Sequence, residues 1–257
     1  DIGARLKSGD QLAQVDARWV VLATGAVPQA LIAADMCTRR LPTGVALRGY
    51  VKNPAMTRHI TEMEVVWHNK LRPGYGWIFP CGDGVFNIGA GVLHGHNEVR
   101  DDGKVGMKDV NLRDLLKTFA ACYAPARELM AGGTMLGDLK GAPLRCTLEG
   151  ARWSRPGLLV TGEAAGSTYA FTGEGIGKAM ETGILAAQTL LAASAGGLDD
   201  AAVCARYDAS LSALKPRFDL YERANHVNAH PWLVDLLGWR ARRSARLRRR
   251  MAGVLNE

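Results

Sequence analysis

The sequence predicts an α/β fold: a strand-and-helix domain interrupted by an antiparallel sheet and closed by a helical segment. Three observations carry this. The apolar run WVVLA, residues 19–23, suits a strand buried on both faces. Between about residues 44 and 150, short apolar segments alternate with glycine and proline turns, the pattern of antiparallel strands. Residues 157–193 read as a strand at 158–161, a glycine-rich loop and a long helix from about Gly175.

Taken in order, ARLK and QLAQVDARWVVLATG form two strands joined by the turn residues SGD, and TGAVP turns the chain out of the second. GVALRGYV, EVVWHNKL, YGWIFP and GVFNIGAGVL are four more strands, separated by RPG and CGDG turns. A polar loop at 94–108 leads to a helix near 111–122, which Asp109 or Asn111 would cap. GGTMLGDLKGAPLRC returns as an irregular or strand segment. Residues 199–257 are helical by pattern, with Pro216 and Pro231 as breaks.

Composition narrows the function classes. The five cysteines (Cys37, Cys81, Cys122, Cys146, Cys204) form no CxxC pair, which argues against a disulfide framework or zinc site and for a reducing, cytoplasmic setting. The net charge is +7, but residues 238–257 hold seven arginines and one glutamate, leaving +1 for the other 237 residues. The basic character therefore describes a tail, which speaks against nucleic acid as a partner of the whole protein. Leu247, Met251, Val254 and Leu255 fall near one helical face of that tail, so it is either a peripheral anchor on anionic membrane or a solvated terminus. His226 and His230, four apart, lack a third ligand nearby and read as surface or packing residues. The HGH at 94–96 reads as a solvated loop.

Two segments carry chemistry. In RPGYGWIFP, residues 72–80, strand alternation puts Tyr75, Trp77 and Phe79 on one face and Gly76 and Ile78 on the other. This is either a core strand or an aromatic wall, with Gly76 admitting a ligand close to the backbone. Arg48 and Tyr50 share a strand face and would touch a substrate or simply make a sheet contact. In the second segment, Gly162, Gly166, Gly173, Gly175 and Gly177 crowd a loop before a helix N-terminus. Such a loop either serves packing or lets a planar ligand lie against bare backbone beside unpaired N–H groups.

LLVTGEAAGSTYAFTGEGIGKAMETGILAA resembles the second flavin motif of FAD-dependent oxidoreductases with the aromatic-hydroxylase fold. VVLATGA is similar to the middle motif of that fold. GVALRGYV and RPGYGWIFPCGDGVFNIGAGV resemble the geranylgeranyl reductase branch. The resemblance spans roughly residues 15–195. It implies part of an FAD-binding domain (1–43 and 151–195), a substrate-binding antiparallel domain (44–150) and C-terminal helices with a basic tail (196–257). Thr24 and Gly25 would lie near the flavin, Gly162 and Glu163 at the ribityl and pyrophosphate side, with Gly166 in the same loop. Gly173, Glu174, Gly175 and Ile176 would pass the isoalloxazine edge. Tyr75, Trp77 and Phe79, with Arg48 and Tyr50, would line the cavity for an apolar substrate over the ring.

The implied reaction is reduction of carbon–carbon double bonds in an isoprenoid or similar lipid, with NADPH or NADH reducing FAD. Water or Tyr75 would give the proton. The alternatives are a flavin monooxygenase and a non-catalytic lipid- or membrane-binding module. Two departures stand out: the family usually has aspartate where this chain has Glu163, and no G-x-G-x-x-G follows a strand. The expectation is a C-terminal portion, or one half of a split protein, whose partner is an N-terminal FAD-binding segment and which binds FAD poorly alone.

Overall fold

The structure, a computed structural model, describes residues 2–8, 11–93, 97–99, 105–107 and 110–246. In chain order the elements are β1 (Ile2–Ser8), β2 (Gln11–Ala17), β3 (Val20–Leu22), α1 (Gln29–Ala33), β4 (Gly44–Lys52) and β5 (Glu64–Val66). Next come β6 (Gly74–Pro80), β7 (Val85–Leu93), β8 (Asn97–Val99), β9 (Val105–Met107), α2 (Leu112–Cys122) and α3 (Ala124–Ala131). The last are β10 (Thr134–Met135), β11 (Lys140–Leu144), β12 (Ser154–Arg155), β13 (Leu158–Val160), α4 (Ile176–Gly196), α5 (Asp200–Ala229) and α6 (Pro231–Arg243). The chain divides into two compact units: Asp1–Pro42 with Leu144–Leu220, and Thr43–Pro143 with Tyr221–Glu257.

The first unit is built on a three-stranded sheet of order β12-β13-β3, in which β3 and β13 run parallel. Leu158, Leu159 and Val160 are all buried. Leu158 and Val160 pack with Leu31, Met36, Ala164 and Ala165, and Leu159 packs with Ala186, Tyr207 and Leu211. β13 is thus the strand buried on both faces. The expectation placed that role on residues 19–23, but Val21 is 42% exposed. The reason is position: β3 is the outer strand of the sheet, and β13 is the central one. Residues 11–22 also form two strands, β2 and β3, with a break at Arg18 and Trp19.

The second unit is an antiparallel sheet of order β10-β4-β7-β6-β5, with β11 also paired to β4. One face carries Leu47, Val51, Ile78, Phe86, Ile88 and Ala90, packed on Leu116, Phe119, Ala126 and Leu129 of α2 and α3. Burial of each such large side chain stabilises by about 1.5–3 kcal/mol. Asn111 starts α2 by accepting from the N–H groups of Arg113 and Asp114, at 3.1 and 3.2 Å.

Three further expectations are corrected. Residues 64–71 are not one strand. β5 ends at Val66, and a 3-10 turn covers Asn69–Leu71, started by the Lys70 N–H donating to His68 Nδ1 at 3.2 Å. The stretch 94–108 contains the β8–β9 hairpin, while its HGH lies outside the described residues. Pro216 does not break a helix but sits inside α5. Side chains on either side of it are anchored: Lys215 donates to the Thr147 carbonyl at 2.9 Å, and Phe218 packs on Tyr169 with ring centroids 4.7 Å apart. These contacts offset the N–H that proline lacks. Pro231 does mark a break, between α5 and α6.

Candidate functional site

In the first unit, β3 and β13 end side by side. The Thr161 N–H donates to the Leu22 carbonyl at 3.0 Å, so the turn with Thr24 and Gly25 and the loop from Gly162 leave the same end of neighbouring parallel strands. That end is where open α/β sheets place ligands. Gly25 has φ +74°, and a Cβ there would meet nothing within 4 Å. Gly162 has φ +64° and opens a 3-10 turn, Gly162–Ala165. Its N–H donates to Thr182 Oγ1 at 3.0 Å, which pins the loop to α4.

Glu163 lies half-buried in this loop. Its Oε1 accepts from Thr168 Oγ1 at 3.1 Å and from the Arg145 N–H at 3.4 Å. Burial pushes its carboxyl above the usual carboxylate range, against the lowering effect of the Thr168 and Arg145 hydrogen bonds and the Arg145 charge. The Arg145 side chain is fully buried. It donates to the carbonyls of Ala26, Gly150 and Arg39 at 3.0, 3.0 and 2.9 Å. One guanidinium thereby ties the turn after β3, the segment at 39 and the segment at 150 to the residue that holds Glu163.

The far side of the loop is open. Gly173 (φ +70°), Glu174, Gly175 and Ile176 lead into α4, and Ile176 is 83% exposed. Glu174 Oε1 accepts from the Gly177 N–H at 2.8 Å, so this carboxylate caps the helix. Gly175 is required by Thr168: a Cβ there would lie 2.6 Å from Thr168 Oγ1. Gly166 serves packing, since its Cβ would lie 2.7 Å from the Glu149 nitrogen.

The five aromatic and arginine positions come together in the second unit. In the β4–β7–β6 register, Arg48, Gly89 and Trp77 form one row across the sheet, and Tyr50, Asn87 and Phe79 form the next. Cross-strand partners share a face, so Arg48, Tyr50, Tyr75, Trp77 and Phe79 all lie opposite the core-facing residues. Neighbouring ring centroids are 5.8 Å apart for Trp67 and Tyr75, 5.9 Å for Tyr75 and Trp77, and 6.3 Å for Trp77 and Phe79. The Arg48 guanidinium sits 4.8 Å from the Tyr50 ring centroid. Trp77 Nε1 donates to Asn87 Oδ1 at 3.0 Å, fixing the indole.

Gly76 does not admit a ligand. The ring of Phe119, from α2, fills the space a Cβ would need. The glycine serving the aromatic face is Gly89, where a Cβ would enter the Trp77 indole. Sequence reading does not single out Gly89, Asn87, Thr168 or Arg145. Pairing outward from the CGDG turn would have placed Gly89 under Trp77. Arg145 leaves no such signal, because its partner Ala26 is 119 residues away.

No protein-family model matches the chain. It is 32% identical over 168 residues to menaquinone reductase of Mycolicibacterium smegmatis, covering 61% of this chain and 36% of that protein. It is 34% identical over 151 residues to digeranylgeranylglycerophospholipid reductase of Methanoculleus marisnigri, covering 57% of this chain and 33% of that one. The chain thus spans about a third of the length of these curated relatives. Among solved structures, a geranylgeranyl bacteriochlorophyll reductase-like protein of Thermoplasma acidophilum superposes with a TM-score of 0.69 at 21% identity, over 88% of this chain and 54% of that one. Flavin-dependent halogenases and a flavoprotein solved with FAD share the fold at lower identity. Over the part it spans, this chain has the fold of that geranylgeranyl bacteriochlorophyll reductase-like protein and is similar in sequence to the two reductases.

Proposed function

We propose that this chain forms part of an FAD-dependent reductase that saturates carbon–carbon double bonds of an isoprenoid or isoprenoid-bearing lipid. The observation carrying this reading is the one-faced ladder of Trp67, Tyr75, Trp77 and Phe79, seated on Gly89, in a chain whose relatives are named for isoprenoid-bearing substrates. An aromatic face of this width suits a long apolar chain, and Arg48 stacked on Tyr50 gives it one charged end for a quinone oxygen or a headgroup.

The loop residues fit a flavin. Gly25 leaves open space where a Cβ would stand at the shared strand end, and among the described residues Glu163 has only one of its carboxylate oxygens committed, to Thr168 and Arg145. Among the described residues, the buried hydroxyl of Ser167 beside them has no hydrogen-bond partner. When bound, FAD would supply the electron pair as hydride, with NADPH or NADH as the reductant. Glu163 would accept from a ribityl hydroxyl, one methylene further out than aspartate. Gly173, Gly175 and Ile176 would border the ring, and the α4 N-terminus would stabilise negative charge on it. Tyr75 is our candidate for the proton that completes saturation.

The test is an anaerobic incubation of the full-length protein with reduced nicotinamide, FAD and a geranylgeranyl lipid, read by mass spectrometry. Gain of two hydrogens per double bond is expected, and Tyr75→Phe is expected to slow it while leaving lipid binding intact. No gain of hydrogens in the anaerobic incubation, with gain of one oxygen atom in a parallel aerated one, would overturn the reading.

A further inference from the structure

The surface of α6 has no role in the reaction proposed above. Trp232, Leu236 and Trp239 are 66%, 44% and 47% exposed. Their spacing of four and three residues puts them on one stripe of the helix. Arg243 continues the stripe, its guanidinium 4.0 Å from the Trp239 ring centroid. Arg240 and Arg246 are exposed as well, and residues 238–257 hold seven arginines against one acid.

We propose that α6 is an interfacial helix that seats the protein on an anionic lipid surface. Trp232, Leu236 and Trp239 enter the boundary between headgroups and acyl chains, and Arg240, Arg243 and Arg246 pair with lipid phosphates. Charge and side-chain chemistry together select this occupant. Indole places an apolar body beside a polar N–H, which suits the headgroup level of a bilayer. A second copy of the chain would bring its own arginine-rich end against this one and be repelled. A nucleic acid would satisfy the guanidiniums but gives a leucine between two indoles no apolar partner. Among the described residues no helix is long and apolar enough to cross a membrane, so this helix lies on the surface instead of spanning it.

The test is flotation of the full chain with vesicles of phosphatidylcholine alone and of phosphatidylcholine mixed with phosphatidylglycerol. Binding is expected to the mixed vesicles only, weakening as salt is raised. Lipids brominated along the acyl chain should quench tryptophan emission in the unmodified protein, and the W232S/W239S variant should lose that quenching and bind at least about tenfold more weakly. R240Q and R243Q should each cost roughly fivefold. All these side chains are exposed, so circular dichroism of the variants should match the parent. The proposal is overturned by absence of binding to mixed vesicles, or by binding that W232S/W239S leaves unchanged. It is equally overturned if the double variant abolishes self-association or binding to a DNA duplex without affecting the vesicles.

Discussion

Glu163 brings a carboxylate into a half-buried position where burial outweighs its favourable contacts, so its titration is displaced upward. The sign follows by linkage. A carboxyl titrating higher in the folded than in the unfolded chain binds more protons when folded, and stability falls as pH rises through that window. Glu163→Gln removes the effect. The variant should melt at or above the parent at neutral pH, and the gap should shrink as pH drops below the raised titration range; a gap that widens toward acid would refute this. Arg145 is the opposite case, a buried cation with three carbonyl partners. Arg145→Met leaves those carbonyls unpaired and should cost roughly 3 kcal/mol or more in a denaturant titration. At Gly89 the added methyl of Gly89→Ala enters the Trp77 indole, and about 1–3 kcal/mol of destabilisation is expected, with a shift in tryptophan emission.

Among the elements, β13 and α5 show how the first unit holds its loop. The Tyr207 hydroxyl, on α5, donates to the Val160 carbonyl at 2.8 Å, and burial pushes its pKa up to about 12. Tyr207→Phe should cost about 1–2 kcal/mol by orphaning that carbonyl. In the parent, this phenol should be silent in an ultraviolet titration carried through the ordinary tyrosine range. The strand–loop–helix from 158 to 196 was legible because glycine density and a 3.6-residue period are local signals. So were β4, β6 and β7, whose alternation and turns lie within a few residues. The burial of β3 was misread because an apolar run does not say how many neighbours a strand has. Pro216 was misread because the contacts of Lys215 and Phe218 come from elsewhere in the chain. The face shared by Arg48, Tyr50 and the aromatics was half legible: alternation separates the faces within each strand, and only register joins them into rows.

On the scale of the whole molecule, charge is the least evenly distributed quantity. The last twenty residues hold +6 of the +7 net charge. Removing them should bring the protein off a cation exchanger at much lower salt, and an unchanged elution would mean that basic patches elsewhere dominate. The two units have separate apolar cores, one around β13 and one between the large sheet and α2–α3. The sequence reading assigned residues 144–150 to the sheet segment, whereas they cluster with the first unit, where Arg145 anchors. That grouping depends on contacts made across more than a hundred positions, which no window of sequence contains.

Among the described residues, β3 is hydrogen-bonded to β13 alone and presents Val21 to solvent. A bare parallel edge of this kind is a docking template for any extended peptide, including one from a misfolding neighbour. Preparations of this polypeptide should therefore cloud on concentration, and lysine in place of Val21 should keep them clear.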